Sequence, residues 1–168
     1  MKPLPLPEQD EAVAIEVTAV KLLGSREHTR KELRYKLNAR HADMDLIESV
    51  LNDLEQRRLL SDERFAENYV DQRSRKGYGP LRIRSELAER GVDGELSARW
   101  IDDGPYDWAE LLAEAAVRKF GDAPASDMRA LAKRGRFLEQ RGFPISLVRR
   151  YLDRAVSYTH LRAHETRR

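Results

Sequence analysis

Apolar residues recur at intervals of three and four along most of the chain, the spacing that places them on one face of an α-helix. No segment alternates apolar and polar residues for long enough to predict a β-strand. The pattern therefore predicts an all-α protein.

The helical pattern itself repeats three times, with a period of about fifty residues, between residues 12 and 156. The equivalent positions are Leu37, Leu87 and Leu138; Leu46, Leu96 and Leu147; Val50, Trp100 and Tyr151; and Leu51, Ile101 and Leu152. A unit of this size cannot bury its own apolar face, so stacking on a neighbour supplies the missing core. We predict three tandem three-helix repeats that form an elongated, curved array.

Changes in composition give the predicted boundaries of these units. The three repeats are assigned to residues 11–60, 61–104 and 105–156, after a flexible lead at 1–10 that contains three prolines. Residues 157–168 match no repeat position and read like translated vector sequence, so we interpret them as a non-native or disordered tail. The tail carries the whole formal net charge of +2.

Capping signals place the helix starts. Thr29 and Glu32 form a capping-box pattern, Asp43 and Ser61 are favoured N-cap residues, and Pro80 fits the first position of a helix after a glycine-rich turn. The first helix is predicted to bury an apolar stripe of Val13, Ile15, Val17, Ala19, Val20, Leu22 and Leu23.

Composition narrows the class of protein further. The chain has no cysteine, which excludes disulfides and thiolate metal sites and favours a reducing compartment. No stretch is apolar enough to span a membrane, and we expect a cytoplasmic monomer. Charge is segregated: Asp93–Glu114 holds seven acids and one arginine, whereas Arg118–Arg154 holds ten basic residues and four acids. Such bands suit an extended charged partner or neighbouring modules that pair with one another, and a solvated helix face would also explain them.

The basic residues that flank the Gly77–Gly79 turn, with those of the third repeat, are the predicted partner-binding surface. An aromatic residue at the turn tip supports this hypothesis, although a solvated turn would also explain the glycines. The predicted residues are Arg73, Arg75, Lys76, Tyr78, Arg82, Arg84, Lys133, Arg134, Arg136, Arg149 and Arg150.

Catalysis is disfavoured by the residues available. The chain has four histidines, two of them in the suspect tail, and lacks a phosphate-binding glycine loop. His160 and His164 have the spacing of helical metal ligands, but no third ligand lies near them in the sequence. We predict a non-enzymatic protein with no metal and no cofactor.

Three segments of the second repeat form a recognisable motif: Asp62–Arg73, Gly77–Leu87 and Arg90–Val92. With these segments the chain resembles the bacterial RecX regulatory proteins. The resemblance extends to Arg30–Leu37 and residues 50–60, and more loosely through the third repeat. It implies three tandem three-helix repeats and a regulator of recombination and the SOS response. Such a protein binds the RecA nucleoprotein filament and restrains its ATPase, strand-exchange and LexA co-protease activities.

Two other functions are compatible with the sequence. One is a tandem helical module that binds DNA without RecA and competes for the same single strand, which the basic third repeat supports. Weak binding to single-stranded or double-stranded DNA is expected. The acidic third helices of the first two repeats argue against it, because they would repel phosphates. A helical adaptor for an unrelated protein is the remaining alternative.

Overall fold

The computed structural model describes the backbone of residues 8–165 and the side chains of residues 8–157. Over this range the chain is all-helical, without strands. The helices are α1 (Glu8–Ser25), α2 (Arg30–Asn38), α3 (Met44–Gln56), α4 (Asp62–Arg75), α5 (Pro80–Glu89), α6 (Gly94–Ile101), α7 (Trp108–Phe120), α8 (Met128–Gln140) and α9 (Ile145–Glu165). The predicted all-α class is confirmed.

The chain divides into two compact units. Of the described residues, the first unit comprises residues 8–68 together with Leu87–Leu96, and the second comprises Tyr69–Glu86 together with residues 97–165. Residues of α4, α5 and α6 belong to both units. The repeat boundaries at 60 and 104 therefore stay predictions.

The first unit packs α1, α2 and α3 around one apolar core. Its buried side chains are Ile15, Ala19, Leu33, Leu37, Ile47, Val50, Leu51, Leu54 and Leu60. The polar starts of the helices follow the predicted signals: Thr29 and Glu32 form a capping box, and Asp43 Oδ1 accepts hydrogen bonds from the Asp45 and Leu46 amides.

The buried face of α1 differs from the predicted stripe. Ile15 and Ala19 are buried, but Val13, Val17 and Val20 are 59%, 63% and 42% exposed. The two sets lie on different sides of the helix, and the core can cover only one of them. α1 also begins at Glu8, inside the predicted lead, because acidic residues in its first turn favour the positive end of the helix dipole. Residues 1–7 of that lead lie outside the described residues.

The second unit has its own core around α7, α8 and α9. The buried residues are Leu112, Ala115, Ala116, Leu138, Phe143 and Val148, with Trp108, Phe137, Leu147, Tyr151 and Leu152 packed against them. The α9 backbone remains helical through Glu165 and so includes part of the tail. A non-native origin of residues 157–168 stays a prediction.

Equivalent repeat positions have equivalent roles in the structure. Leu37, Leu87 and Leu138 are each fully buried. The helices that carry Leu87 and Leu138 are each followed, two residues after their last residue, by a glycine: Gly91 with φ of +79° and Gly142 with φ of +91°. An L side chain would be strained at either position. The first repeat has His41 at this position and does not use a positive φ there.

Acid is expected to destabilise the first unit through His28. Its ring is buried, with Nδ1 3.0 Å from the Arg26 carbonyl oxygen and Nε2 2.9 Å from the Lys36 ammonium. Burial lowers the pKa of His28 below its ordinary 6.5, and the charges of Arg26 and Lys36 lower it further, against opposing effects of the Arg26 carbonyl and Glu32. The neutral ring then donates to the carbonyl and accepts from Lys36.

The unfolded chain therefore binds more protons than the folded chain just below pH 6.5, and the free energy of unfolding should fall as the pH drops through this range. Urea unfolding between pH 7.5 and pH 5 measures the slope. The His28→Gln variant retains an acceptor and a donor but does not titrate, so its slope should be shallower. Equal slopes in the two proteins would show that His28 is not responsible.

Candidate functional site

Every residue of the predicted binding surface belongs to the second unit, where two turns meet. The turn at residues 77–80 packs on the turn at residues 141–143 through hydrogen bonds between their backbones. The Gly79 amide donates to the Arg141 carbonyl at 2.7 Å, and the Leu81 amide donates to the Gly142 carbonyl at 3.0 Å. The first turn is therefore packed against the second and is not fully solvated, but its glycines do meet a backbone requirement, as the solvated-turn alternative supposed. A role of this turn in partner binding stays a prediction.

The Tyr78 ring lies among three guanidinium groups. The Cζ atoms of Arg73, Arg82 and Arg141 are 3.7, 4.6 and 4.7 Å from the ring centroid. Each cation faces the electron-rich ring, an arrangement that contributes about 0.5–1 kcal/mol at exposed sites. Tyr78 is half-buried by these groups, so the free aromatic tip that the sequence suggested is absent.

Two of these arginines are also held by Glu86. The Glu86 carboxylate accepts hydrogen bonds from Arg73 Nε at 2.8 Å, Tyr69 Oη at 2.8 Å and Arg82 Nε at 3.1 Å. Burial raises the pKa of Glu86, but these hydrogen bonds outweigh it and hold the pKa below its ordinary value. Arg73 and Glu86 are only 17% and 16% exposed, so Arg73 has little surface to offer a partner.

Arg75 and Arg84 pair with acids but remain accessible. Arg75 Nε lies 3.1 Å from Asp71, and its side chain is 78% exposed. Arg84 Nη2 lies 2.6 Å from Asp102, and its side chain is 39% exposed. Exposed pairs of this kind are weak, so either arginine could exchange its carboxylate for one on a partner.

The predicted cations of α8 and α9 form two separate exposed groups. Arg149 and Arg150 line a shallow groove of about 590 Å³ along α9. Lys133 and Arg136 line a different groove, of about 490 Å³, beside the start of α8. The structure leaves both groups facing solvent.

Arg134 differs from its neighbours on α8. It is 9% exposed, its Nη2 donates to the Ala123 carbonyl at 2.7 Å, and its Cζ lies 5.4 Å from the Phe120 ring centroid. These contacts fix the connection between α7 and α8. The arrangement gives Arg134 a structural role and little access to a partner.

Three further basic residues near the Gly77–Pro80 turn were not among the predicted ones. Arg118 Nη1 donates to the Arg75 carbonyl at 2.8 Å, and Arg141 Nη1 donates to the Lys76 carbonyl at 3.3 Å. Lys119 follows Arg118 on α7 and lies beside the same turn. Arg141 could have been found from the repeat alone, because Arg40 and Arg90 occupy the equivalent positions.

Acidic residues of α3 are neutralised within the first unit. Arg30 binds Glu48 and Glu55, each at 2.7 Å, and Arg34 also pairs with Glu48. The hydrogen bonds from Arg34 and Arg30 lower the pKa of Glu48 to about 2. The acidic third helix of the first repeat is therefore less negative towards solvent than its sequence indicates.

Among the described residues, no group of three or more His, Cys, Asp or Glu side chains is placed to hold a metal ion. No helix in the described part of the chain is long and apolar enough to cross a membrane, and a cytoplasmic location stays a prediction.

Three segments of the chain match the three domains of one protein family. Residues 17–54 match the first three-helix domain of RecX, residues 61–99 match the second, and residues 106–152 match the third. The three-domain organisation is therefore shown for most of the chain.

Similar proteins agree with these matches. Regulatory protein RecX of Pseudomonas savastanoi pv. phaseolicola is 43% identical over 144 residues, which cover 86% of this chain and 93% of that protein. Regulatory protein RecX of Pseudomonas syringae pv. tomato is also 43% identical, with the same coverage. The crystal structure of RecX from Lactobacillus salivarius has a TM-score of 0.70 at 23% identity, covers 91% of this chain and 99% of its own, and supports the fold. With three matched domains and relatives of this identity over nearly their whole length, the chain belongs to the RecX family of regulatory proteins.

Proposed function

We propose that this chain binds the RecA nucleoprotein filament and inhibits its ATPase, strand-exchange and LexA co-protease activities, without catalysing a reaction. The observation that carries the proposal is the similarity to regulatory RecX proteins over 93% of the length of the first relative. The protein would thereby modulate recombination and the SOS response.

Exposed cations of the second unit support an electrostatic component of this binding. Arg149 and Arg150 lie on α9, Lys133 and Arg136 lie on α8, and none has an ion pair among the described residues. A filament of protein and DNA offers both carboxylates and phosphates to such groups. Binding should weaken as salt screens these exposed charges.

Inhibition of RecA should occur at concentrations of this protein that leave bare DNA unbound. The measurement is RecA ATP hydrolysis on single-stranded DNA, with the full chain and with a chain that ends at Val156, beside binding of each protein to the DNA alone. We expect hydrolysis to fall with both proteins. Unchanged hydrolysis would overturn the proposal.

Charge reversal on α9 tests the contribution of the exposed cations. The Arg149→Glu, Arg150→Glu variant should inhibit RecA less, and its inhibition should depend less on salt, because both side chains face solvent. The matched control is Lys21→Glu, Arg40→Glu, which makes the same change of charge at exposed positions in the first unit. Equal losses in the two variants would show that only net charge matters.

Direct competition for DNA is the second candidate function. The observation that favours it is the pair of grooves on α8 and α9, whose basic residues could follow a phosphate backbone. It predicts that hydrolysis falls only at concentrations where this protein occupies the single-stranded DNA. That result would replace filament binding with DNA binding as the function.

A further inference from the structure

A small cleft in the second unit is lined by basic side chains and by no acid. It lies between the end of α4, the following turn, α7 and α8, and its volume is about 170 Å³. The lining residues are Lys76, Gly77, Ala115, Arg118, Lys119, Phe137 and Arg141.

The four cations of this cleft differ from the arginines near them. Arg73, Arg75, Arg82 and Arg84 each pair with a carboxylate. By contrast, no ion pair is found for the cleft cations with any described residue. Four positive charges thus line one cleft without internal neutralisation.

Two of the cations are fixed in place by the end of α4. Arg118 donates to the Arg75 carbonyl and Arg141 donates to the Lys76 carbonyl, both at the negative end of the helix dipole. Capping of α4 explains why these two arginines are here. It does not explain Lys76 and Lys119, and it uses one of the five N–H donors of each guanidinium.

Gly77 and Phe137 form parts of the walls of the cleft. A Cβ atom on Gly77 would lie 3.3 Å from Ala115 Cβ and 3.4 Å from Arg118 Nη2, so a side chain there would occupy the space between the turn and α7. On the other side, Lys119 Nζ and Arg141 Cζ lie 5.8 and 5.0 Å from the centroid of the Phe137 ring. The ring holds both cations beside the cleft.

From this arrangement we infer that the cleft is a binding site for a phosphate group. Its donors come from the turn, α7 and α8, and a tetrahedral phosphate has oxygens that point in several directions to meet them. A single carboxylate is planar and carries one negative charge, whereas a phosphate monoester carries about −1.5 to −2 at neutral pH. The site goes beyond the proposed function and does not require RecA.

Titration of the full ¹⁵N-labelled chain with inorganic phosphate, at constant ionic strength, tests the site. The side-chain Nε–Hε signals of Arg118 and Arg141 and the amide of Gly77 should shift and saturate together. The double variant Lys76→Gln, Lys119→Gln should weaken binding about tenfold or more, because it removes two charged donors whose ammonium groups make no hydrogen bond to any described residue. The control Lys21→Gln, Arg40→Gln makes the same change of charge on the first unit and should bind phosphate normally.

Two further titrations identify the source of the phosphate. A thymidine oligonucleotide without terminal phosphates should shift the same signals if the site takes a backbone phosphodiester. If only the 5′-phosphorylated oligonucleotide shifts them, the site takes a terminal phosphate.

Three outcomes would overturn the inference. These are no saturable shift with inorganic phosphate, equal weakening in the control variant, or equally tight binding of glutarate. The last result would assign the cleft to carboxylates of an acidic protein partner. None of them depends on inhibition of RecA, so the phosphate site and the proposed function can fail independently.

Discussion

Gly142→Ala is expected to lower the free energy of unfolding by roughly 3–5 kcal/mol, the sum of backbone strain and overpacking. Gly142 has a φ of +91°, and a Cβ there would lie 2.4 Å from Arg82 Cβ and 2.6 Å from the Arg82 backbone nitrogen. The backbone of α5 cannot move away without breaking the hydrogen bond from the Leu81 amide to the Gly142 carbonyl. Urea unfolding of the purified variant measures the loss.

Three other glycines separate the two causes. Gly121 has a φ of +79° but open space around it, so Gly121→Ala should lose about 1–3 kcal/mol from strain alone. Gly79 has no positive φ, but an added Cβ would lie 2.4 Å from the Gly142 carbonyl. The loss of stability in Gly79→Ala therefore measures the cost of overpacking between the two turns, without backbone strain. Gly24 has neither constraint, and Gly24→Ala should gain about 0.5–1 kcal/mol. A Gly142→Ala loss no larger than that of Gly121→Ala would show that the turns separate easily.

Glu86→Gln is expected to lower the free energy of unfolding by about 2–3 kcal/mol, because it removes the charge that three donors share. The glutamine amide also places N–H donors where Arg73 and Arg82 need an acceptor. The matched control is Asp71→Asn, which breaks the exposed ion pair between Asp71 and Arg75, both on α4. It should change the free energy of unfolding by at most about 0.5 kcal/mol. Equal effects would mean that the Glu86 network contributes no more than a surface pair.

The pH dependence of the free energy of unfolding, compared between the wild-type chain and Glu86→Gln, is an independent check on the role of this carboxylate. The pKa of Glu86 is lowered on folding, so its contribution is present above the ordinary value of 4.5 and is lost as the pH falls through the folded value. The wild-type chain should therefore lose stability in acid more steeply than Glu86→Gln. Parallel curves below pH 5 would contradict the role assigned to the carboxylate.

The helix starts were predictable because they depend on local chemistry. Thr29 and Asp43 cap the helices that their sequence context predicted, and Pro80 begins α5. The buried face of α1 was predicted less well, since apolar residues occur on two sides of this helix: valines on the exposed side, and Ile15 and Ala19 on the buried side. Only the position of α2 and α3 decides which side is covered.

The sequence predicted where the basic residues cluster. It did not predict which of them are held by internal contacts and which are accessible. Basic residues around the Gly77 turn do lie together, but Arg73 is held by Glu86 and Arg134 is buried against Ala123 and Phe120. Arg118 and Lys119 were missed because they are about forty residues from the turn in sequence. The positions of charged residues along a sequence do not show which cations form ion pairs with carboxylates in the folded protein.

The sequence by itself determined the helical class and the three tandem units, because periodicity, capping residues and the repeat are all local or periodic properties. It also determined the family, through its similarity to RecX sequences. The tertiary structure decided which cations are neutralised, which are buried and which remain available to a ligand. The meeting of the turns at Gly79 and Gly142 is the clearest case: backbones about sixty residues apart in sequence approach too closely for a side chain, and that proximity brings Arg141 to Tyr78 and to Lys76. Pairing and burial depend on distances between remote residues, and those distances exist only in the folded chain.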